Sequence, residues 1–530
     1  MARYLPSTLS GQESDVGVFE VVRKAGTTVL IGSGIAVLLS FTQGTAVGET
    51  EGGPLIGALS DTTPANQSGQ PGETSPGLNR EILDQGTTEQ RAIMRPDGSI
   101  RVLRKSPFTI ENTIDGPRWL HLGVEHRTRY ETYNEPFRLN QVGSDQQLPL
   151  HTLVRLGIRY DPIRFFTEFI DARAFLTDNG STIPSGTEDQ TDILQLYGGL
   201  GSSNLFGLGV PAELTVGRFT MDFGNRRLIR RGNFRNVPVS FTGLHLALGE
   251  EKLHLRSFVV EPVFQYENKG DTEEHGTMFW GFFLGQRQIS WLQTDLYVYF
   301  LNETDRPPNT DSRRRHFQTP GLRIFKPNAV GQMDYEIESI WQFGNLAEAP
   351  GSAQTIDHFA HFQHFEVGYT FDIPWTPRFL VQYDYASGDR NPNDNKDQRF
   401  DTLFGGVNFE LNPAGIWGPF RRSNINSPGY RLHLTPSKDF SFFVAHRFFW
   451  LAQAKDQWVG TGLQDRSGKA GKFLGQHFEA RAHWIATENV VFETGLAYLL
   501  KGSFIENLQQ PGKPNNKNST YFYVSTTLTF

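Results

Sequence analysis

The 530-residue chain is 38% hydrophobic and 13% aromatic, with 42 Phe, 54 Gly and no Cys, so it holds no disulfide framework and no thiolate metal site. Its formal charge of -7, from 50 Lys and Arg against 57 Asp and Glu, gives no global mark of a nucleic-acid binder. No apolar run of about twenty residues follows residue 50, which excludes a helical membrane span there.

Polar on average yet rich in aromatics and Gly, the composition suits a sheet with one face in lipid and the other in water. A large soluble all-β protein is the alternative. Arg23-Lys24 lead into an apolar run from Thr27 to Leu39 and small residues through Ala46-Val47-Gly48. That is the layout of a secretory signal, so 1–48 is predicted to be an export segment. Residues 49–107 are rich in Gly, Pro, Ser and Thr, with almost no aromatics. Such a stretch cannot bury enough apolar surface to offset ordering, which predicts a disordered linker.

From 108 to 530 the pattern predicts an all-β fold, a transmembrane antiparallel barrel of about 18 strands, each long enough to cross a bilayer at a tilt. The strands run from 119–133 to 520–530, with 150–160, 212–223, 289–301 and 429–435 among them. In the first, Leu120, Leu122, Val124 and Tyr130 oppose His121, Glu125, Arg127, Arg129 and Glu131. In the second, Leu150, Val154, Leu156 and Ile158 oppose His151, Arg155 and Arg159. In the sixteenth, Phe478, Ala480, Ala482 and Trp484 oppose His477, Glu479, Arg481 and His483. The third and fifteenth strands are apolar on both faces in places, and alternation does not orient them. The last strand ends on an aromatic, Phe530, which suits closure against the first strand.

The connections carry a stronger argument. Short junctions at 161–162, 249–251, 288, 374–375 and 488 interleave with long polar ones at 134–149, 177–190, 224–238, 302–316, 387–428, 452–472 and 501–519. Bacterial outer-membrane barrels have short periplasmic turns and long outer loops. A soluble sandwich has no reason to keep that rhythm. The predicted location is therefore the outer membrane, with membrane lipid, lipopolysaccharide, the barrel-assembly machinery and periplasmic proteins as expected partners, and no nucleic acid.

Between Gly217 and Phe241 lie Arg218, Arg226, Arg227, Arg230, Arg231 and Arg235, with Asp222 as the only acid. So many guanidinium groups beside a lumen would focus positive potential where an anion passes. The planar Arg fork suits carboxylates, which it binds through paired hydrogen bonds. With Arg127, Arg129, Arg155, Arg159, Arg431 and Arg481 on strands, these residues are the candidate pore lining. A solvated basic loop is the bland alternative.

The stretch from Val216 to Leu246 contains Gly217-Arg218, Gly224 near Arg227-Leu228, Phe234-Arg235-Asn236 and Ser240-Phe241-Thr242-Gly243 in that order. Further on come Tyr385-Ala-Ser-Gly-Asp-Arg-Asn-Pro-Asn-Asp, Arg399-Phe-Asp-Thr-Leu-Phe, Asn424 and the Leu432–Pro436 element. In these motifs the chain resembles the alginate export family of outer-membrane porins, from roughly Trp119 to Phe530. The resemblance implies an eighteen-stranded monomeric barrel that passes an acidic polysaccharide through an Arg-lined constriction narrowed by inward loops. Thr242 stands where relatives commonly carry Asp, and Phe404-Gly405-Gly406 where a Phe-Pro pair is frequent. The predicted cargo is an alginate-like polyuronate or its oligomers, with a general uptake porin for anions or sugar acids as the alternative.

No cofactor and no metal site is expected. The acids and amides from Asp389 to Asp397 have oxygen ligands near calcium-loop spacing, but the sixth-position Gly and the closing Glu are missing. His358, His361 and His364 cannot share one strand face. No Gly-x-Ser-x-Gly element occurs, so a barrel hydrolase is the weakest reading and the expectation is a protein that is not an enzyme.

Overall fold

The computed structural model describes residues 117, 119–178, 187–306, 312–406, 410–411 and 418–530, together with a two-stranded antiparallel pair, Arg91–Met94 with Ile100–Leu103. That pair falls within the stretch expected to be a linker. The rest of 49–107, and the expected export segment at 1–48, lie outside the described residues.

Eighteen strands close into an antiparallel barrel. They are β1 (Leu120–Asn134), β2 (Ser144–Tyr160), β3 (Ile163–Phe175), β4 (Asp189–Ser202), β5 (Ala212–Phe219), β6 (Phe241–Glu250), β7 (Leu253–Phe264), β8 (Thr277–Gln286) and β9 (Gln293–Glu303). The ring continues with β10 (His316–Lys326), β11 (Met333–Ala347), β12 (Thr355–Thr370), β13 (Arg378–Ala386), β14 (Ile425–Leu434), β15 (Phe440–Trp450), β16 (Phe473–Ile485), β17 (Val490–Lys501) and β18 (Ser519–Thr529). Each strand pairs with its sequence neighbours, and β18 closes on β1, where Phe530 and Val124 exchange backbone hydrogen bonds of 2.8 and 3.0 Å. No helix among the described residues is long and apolar enough to cross a membrane.

The faces follow the alternation. Outward residues such as Phe169, Val259, Phe282, Leu296, Trp341, Phe365, Val444, Phe478 and Phe522 stay exposed and form the apolar band that lipid requires. Trp119, Tyr160, Trp291, Phe371 and Trp375 crowd the short-turn end as an aromatic girdle. The two strands that alternation left unassigned are also oriented. Arg164, Phe166, Glu168 and Ile170 point inward on β3, as do Phe443, Arg447 and Phe449 on β15.

Four boundaries differ from expectation. β2 starts at Ser144 instead of 150, because Asp145 and Gln147 face the lumen and a polar lumen face reads as loop. β9 starts at Gln293; Ile289 and Trp291 belong to the girdle, and their apolar character imitates a strand. β14 begins at Ile425 and carries Pro428 within it, where the long loop was expected to run to its end. Pro428 pairs with Tyr383 on one side, while the ladder to β15 skips it, as a residue without N–H requires. β5 ends at Phe219, four residues early, because the chain turns into the lumen there.

Candidate functional site

The segment 220–240, between β5 and β6, crosses the barrel interior. On one wall, Arg127 of β1 donates to the Asn233 carbonyl at 2.5 Å and the Arg235 carbonyl at 2.7 Å. Arg129 donates to the Phe234 carbonyl at 2.7 Å and lies 4.1 Å over the Phe234 ring. On the other wall, Arg227 meets Glu336 and Glu338 of β11. β1 and β11 stand on opposite sides of an eighteen-strand ring, so the segment spans it. The second inward segment, described at 387–406, 410–411 and 418–424, runs alongside. Phe404 N–H donates to the Leu228 carbonyl and Gly406 N–H to the Arg226 carbonyl, each at 3.0 Å. This approach requires Gly: a Cβ at Gly405 would lie 1.7 Å from the Arg227 carbonyl oxygen, and one at Gly406 2.1 Å from Arg230 Cδ.

Several of the candidate arginines are matched by acids that are remote in sequence. Arg227 binds Glu336 at 2.6 Å, Glu410 at 2.5 Å, and Glu338. Burial works against its charge, but Glu410, Glu336 and Glu338 outweigh burial and hold the guanidinium well above its usual range. Burial likewise penalises the Glu410 carboxylate, and Arg227 with Arg422 holds it below the usual carboxylate range. Arg231 forks onto both oxygens of Glu168 at 3.0 and 2.9 Å. Arg155 reaches Glu168 at 2.7 Å and Glu125 at 3.1 Å. Arg218 pairs with Glu273 at 2.9 Å, and Arg226 lies 3.7 Å from Asp222. Arg481 donates to the Tyr523 hydroxyl at 2.8 Å, with Glu493 at 3.8 Å. Arg431 donates to the Glu410 carbonyl at 3.3 Å and sits over Phe443. Arg159 belongs to the short-turn end, 3.8 Å from Asp161. Arg230 is buried; burial lowers its pKa to about 10, with Asp222 opposing and Arg226, Arg422 and Arg481 adding to the drop.

Arg235 differs. Among the described residues its guanidinium has no hydrogen bond to a carboxylate and no ion pair, and neither has that of Arg421. Burial and then the like charge of Arg421 lower the pKa of Arg235. Arg421 is exposed to water yet surrounded by enough protein to lower its own pKa. Arg138, in the 135–143 loop, is also within electrostatic reach of Arg421, and burial brings it to about 10. Three cations therefore gather where the inward segments meet the outer loops, and no carboxylate among the described residues offsets Arg235 or Arg421.

Two acidic groups have metal-like spacing. In Glu336, His364 and Glu410 the cation is already present, because Arg227 bridges both glutamates. The other group joins Asp189, Asp192 and Asp271. The acids of 389–397 are spread out: Asp397 pairs with Arg313 at 2.9 Å, and Asp456 takes both Arg399 and the Asp389 N–H. Burial raises Asp389 to about 6 despite the Asn391 N–H. His358 and His364 point inward while His361 lies outside against Trp341, as strand parity requires.

The residues that sequence reading missed are the acids. Asp334, Glu336 and Glu338 alternate on the inward face of β11, a signal available in the Asp-Tyr-Glu-Ile-Glu string. Glu168 was hidden on a strand whose faces alternation could not assign. The Arg421-Arg422 doublet splits, with Arg422 buried on Glu410 and Arg421 in water. Asn424, one of the motif residues, is a structural post: its side chain accepts from Gln453 N–H at 2.8 Å and donates to the Gln457 carbonyl at 3.0 Å.

A family model described as alginate export matches residues 118–517. A search of curated proteins finds no match. Among solved structures, Pseudomonas aeruginosa OccD3 (OpdP) aligns over 87% of this chain and 99% of its own, with 12% identity and a TM-score of 0.52. Acinetobacter baumannii OccAB1 aligns over 78% and 96%, with 10% identity and a TM-score of 0.51. At such identities the likeness is one of fold.

Proposed function

The chain belongs to the alginate export family and is an outer-membrane channel, and we propose that its cargo is an anionic polysaccharide of the alginate type, or its oligomers, drawn past Arg235, Arg421 and Arg138. The observation that carries this reading is that Arg235 and Arg421 have no acid partner among the described residues. A passing carboxylate must compete with protein carboxylates for each guanidinium. At Arg227 or Arg231 that competition is against buried, multiply bonded glutamates; at Arg235 and Arg421 it is against water. A polyuronate presents one carboxylate per sugar, and conduction needs contacts loose enough to release. Water-accessible arginines meet that need, since exposed ion pairs contribute roughly 0–1 kcal/mol. In this reading Arg127 and Arg129 hold the crossing segment in place, and the acid-matched arginines set its shape. The protein makes and breaks no bond in the cargo.

The test is single-channel current in planar bilayers with uronate oligomers, neutral oligosaccharides and small organic acids compared side by side. The expected result is anion selectivity and uronate block that disappears in Arg235→Ala/Arg421→Ala. Cation selectivity, block that survives in that variant, or equal passage of neutral sugars would overturn the reading. Recovery of uronate polymer at unchanged length after incubation with the protein checks that no hydrolysis occurs.

A further inference from the structure

We propose that Asp189, Asp192 and Asp271 form a calcium site that ties the loop between β7 and β8 to the outer end of β4. One carboxylate oxygen from each residue lies within 4.8 Å of the others, the spread expected of oxygens around one calcium at 2.3–2.6 Å per bond.

Spacing alone argues against this cluster, because residues three apart on a strand face opposite ways. A bulge reverses the parity. Ala172 pairs with Asp189 and Ile170 with Asp192, so two steps along β3 match three along β4. Thr191 takes up the extra residue with a φ of +57°. Asp189 and Asp192 then turn to the same side, where Asp271 arrives from the loop after β7. Its backbone N–H donates to Asp192 Oδ2 at 2.6 Å, and its Oδ1 accepts from Tyr266 N–H at 2.8 Å.

The independent sign of a ligand is Asp189. It is only 1% exposed, and its Oδ2 is cut off from water with no hydrogen-bond partner among the described residues. A buried carboxylate oxygen left without a donor is costly, and a bound cation removes that cost. The neighbouring protein cations are otherwise engaged. Arg218 spends its ion pair on Glu273 and donates to the Ile193 and Asp271 carbonyls, while Lys269 sits 3.7 Å over the Tyr266 ring. All-oxygen ligands in an irregular loop favour calcium over magnesium, which demands near-ideal octahedral geometry. The long loops face the cell exterior, where weak calcium sites with Kd of about 10⁻⁴–10⁻³ M are sufficient.

The experiment uses purified full-length protein in detergent, its folding checked by heat-dependent electrophoretic mobility. Calorimetric titration with CaCl2 and Tb³⁺ luminescence excited through tyrosine should both report one saturable site, with MgCl2 a poor competitor. Asp189→Asn should weaken binding at least about tenfold, Asp189→Asn/Asp271→Asn should abolish it, and Glu251→Gln, an exposed acid at the short-turn end, should leave it unchanged. Asp271→Asn alone lies in a loop and keeps the test open if the strand variant folds poorly. Absence of calcium binding in the wild type, or wild-type affinity in both single variants, would overturn the proposal.

Discussion

Arg227 and Arg235 lie eight positions apart in one segment, and their surroundings are opposite. Arg227 is enclosed by Glu336, Glu338 and Glu410, three acids drawn from β11 and from the second inward segment. Arg235 and its neighbour Arg421 have no acid within bonding distance among the described residues. The same residue type thus serves as a rivet at one end of the segment and as open positive charge at the other. What separates the roles is which strand each guanidinium reaches, because the acids that Arg227 meets on β11 sit on the far wall.

The largest effect should follow removal of the rivet. Arg227→Ala leaves Glu338 without a cation among the described residues, while Glu410 keeps Arg422 and Glu336 keeps Arg323; breaking such a buried pair costs about 3–5 kcal/mol. Denaturant unfolding of the lipid-reconstituted barrel should show it, and protease cleavage within 220–240 should rise; an unchanged profile would mean that Arg227 is no anchor. Gly405→Ala should come next, at about 1–3 kcal/mol for overpacking, since its Cβ would collide with the Arg227 carbonyl. A noisier channel with larger conductance is the expected readout.

Acid should act on the same end. The folded-state pKa of Glu410 is depressed below its reference of 4.5. Its contribution is therefore full above about pH 4.5 and is lost as the pH falls through the lower folded value. Protease access to 220–240 should rise across that window, and less steeply in Glu410→Gln. The smallest stability effect is expected from Arg235→Ala/Arg421→Ala, within about 0.5 kcal/mol as for substitutions away from buried partners, even as uronate block is lost. A stability loss on the scale of Arg227→Ala would erase the contrast between the two ends.

The barrel itself was legible in the amino-acid pattern. Period-two alternation on β1, β2 and β16 and the rhythm of short and long connections are local properties, visible wherever lipid and water face opposite sides of one strand. The site was legible by halves. The arginines stood out because six of them crowd one window, whereas their acids are single residues on β3, β11 and the second inward segment. Only Asp334, Glu336 and Glu338 left a periodic trace.

Residue order alone determined the strand count, the lipid face and the concentration of guanidinium groups between Gly217 and Phe241. Tertiary structure alone decided which of those groups are neutralised, because charge pairing depends on distance through the lumen and not along the chain. It also brought Asp271 to Asp189 and Asp192, through a bulge that no regular alternation would place there. Hydrophobic patterning is read one strand at a time, but compensation of charge in a filled barrel is settled only once opposite walls face each other.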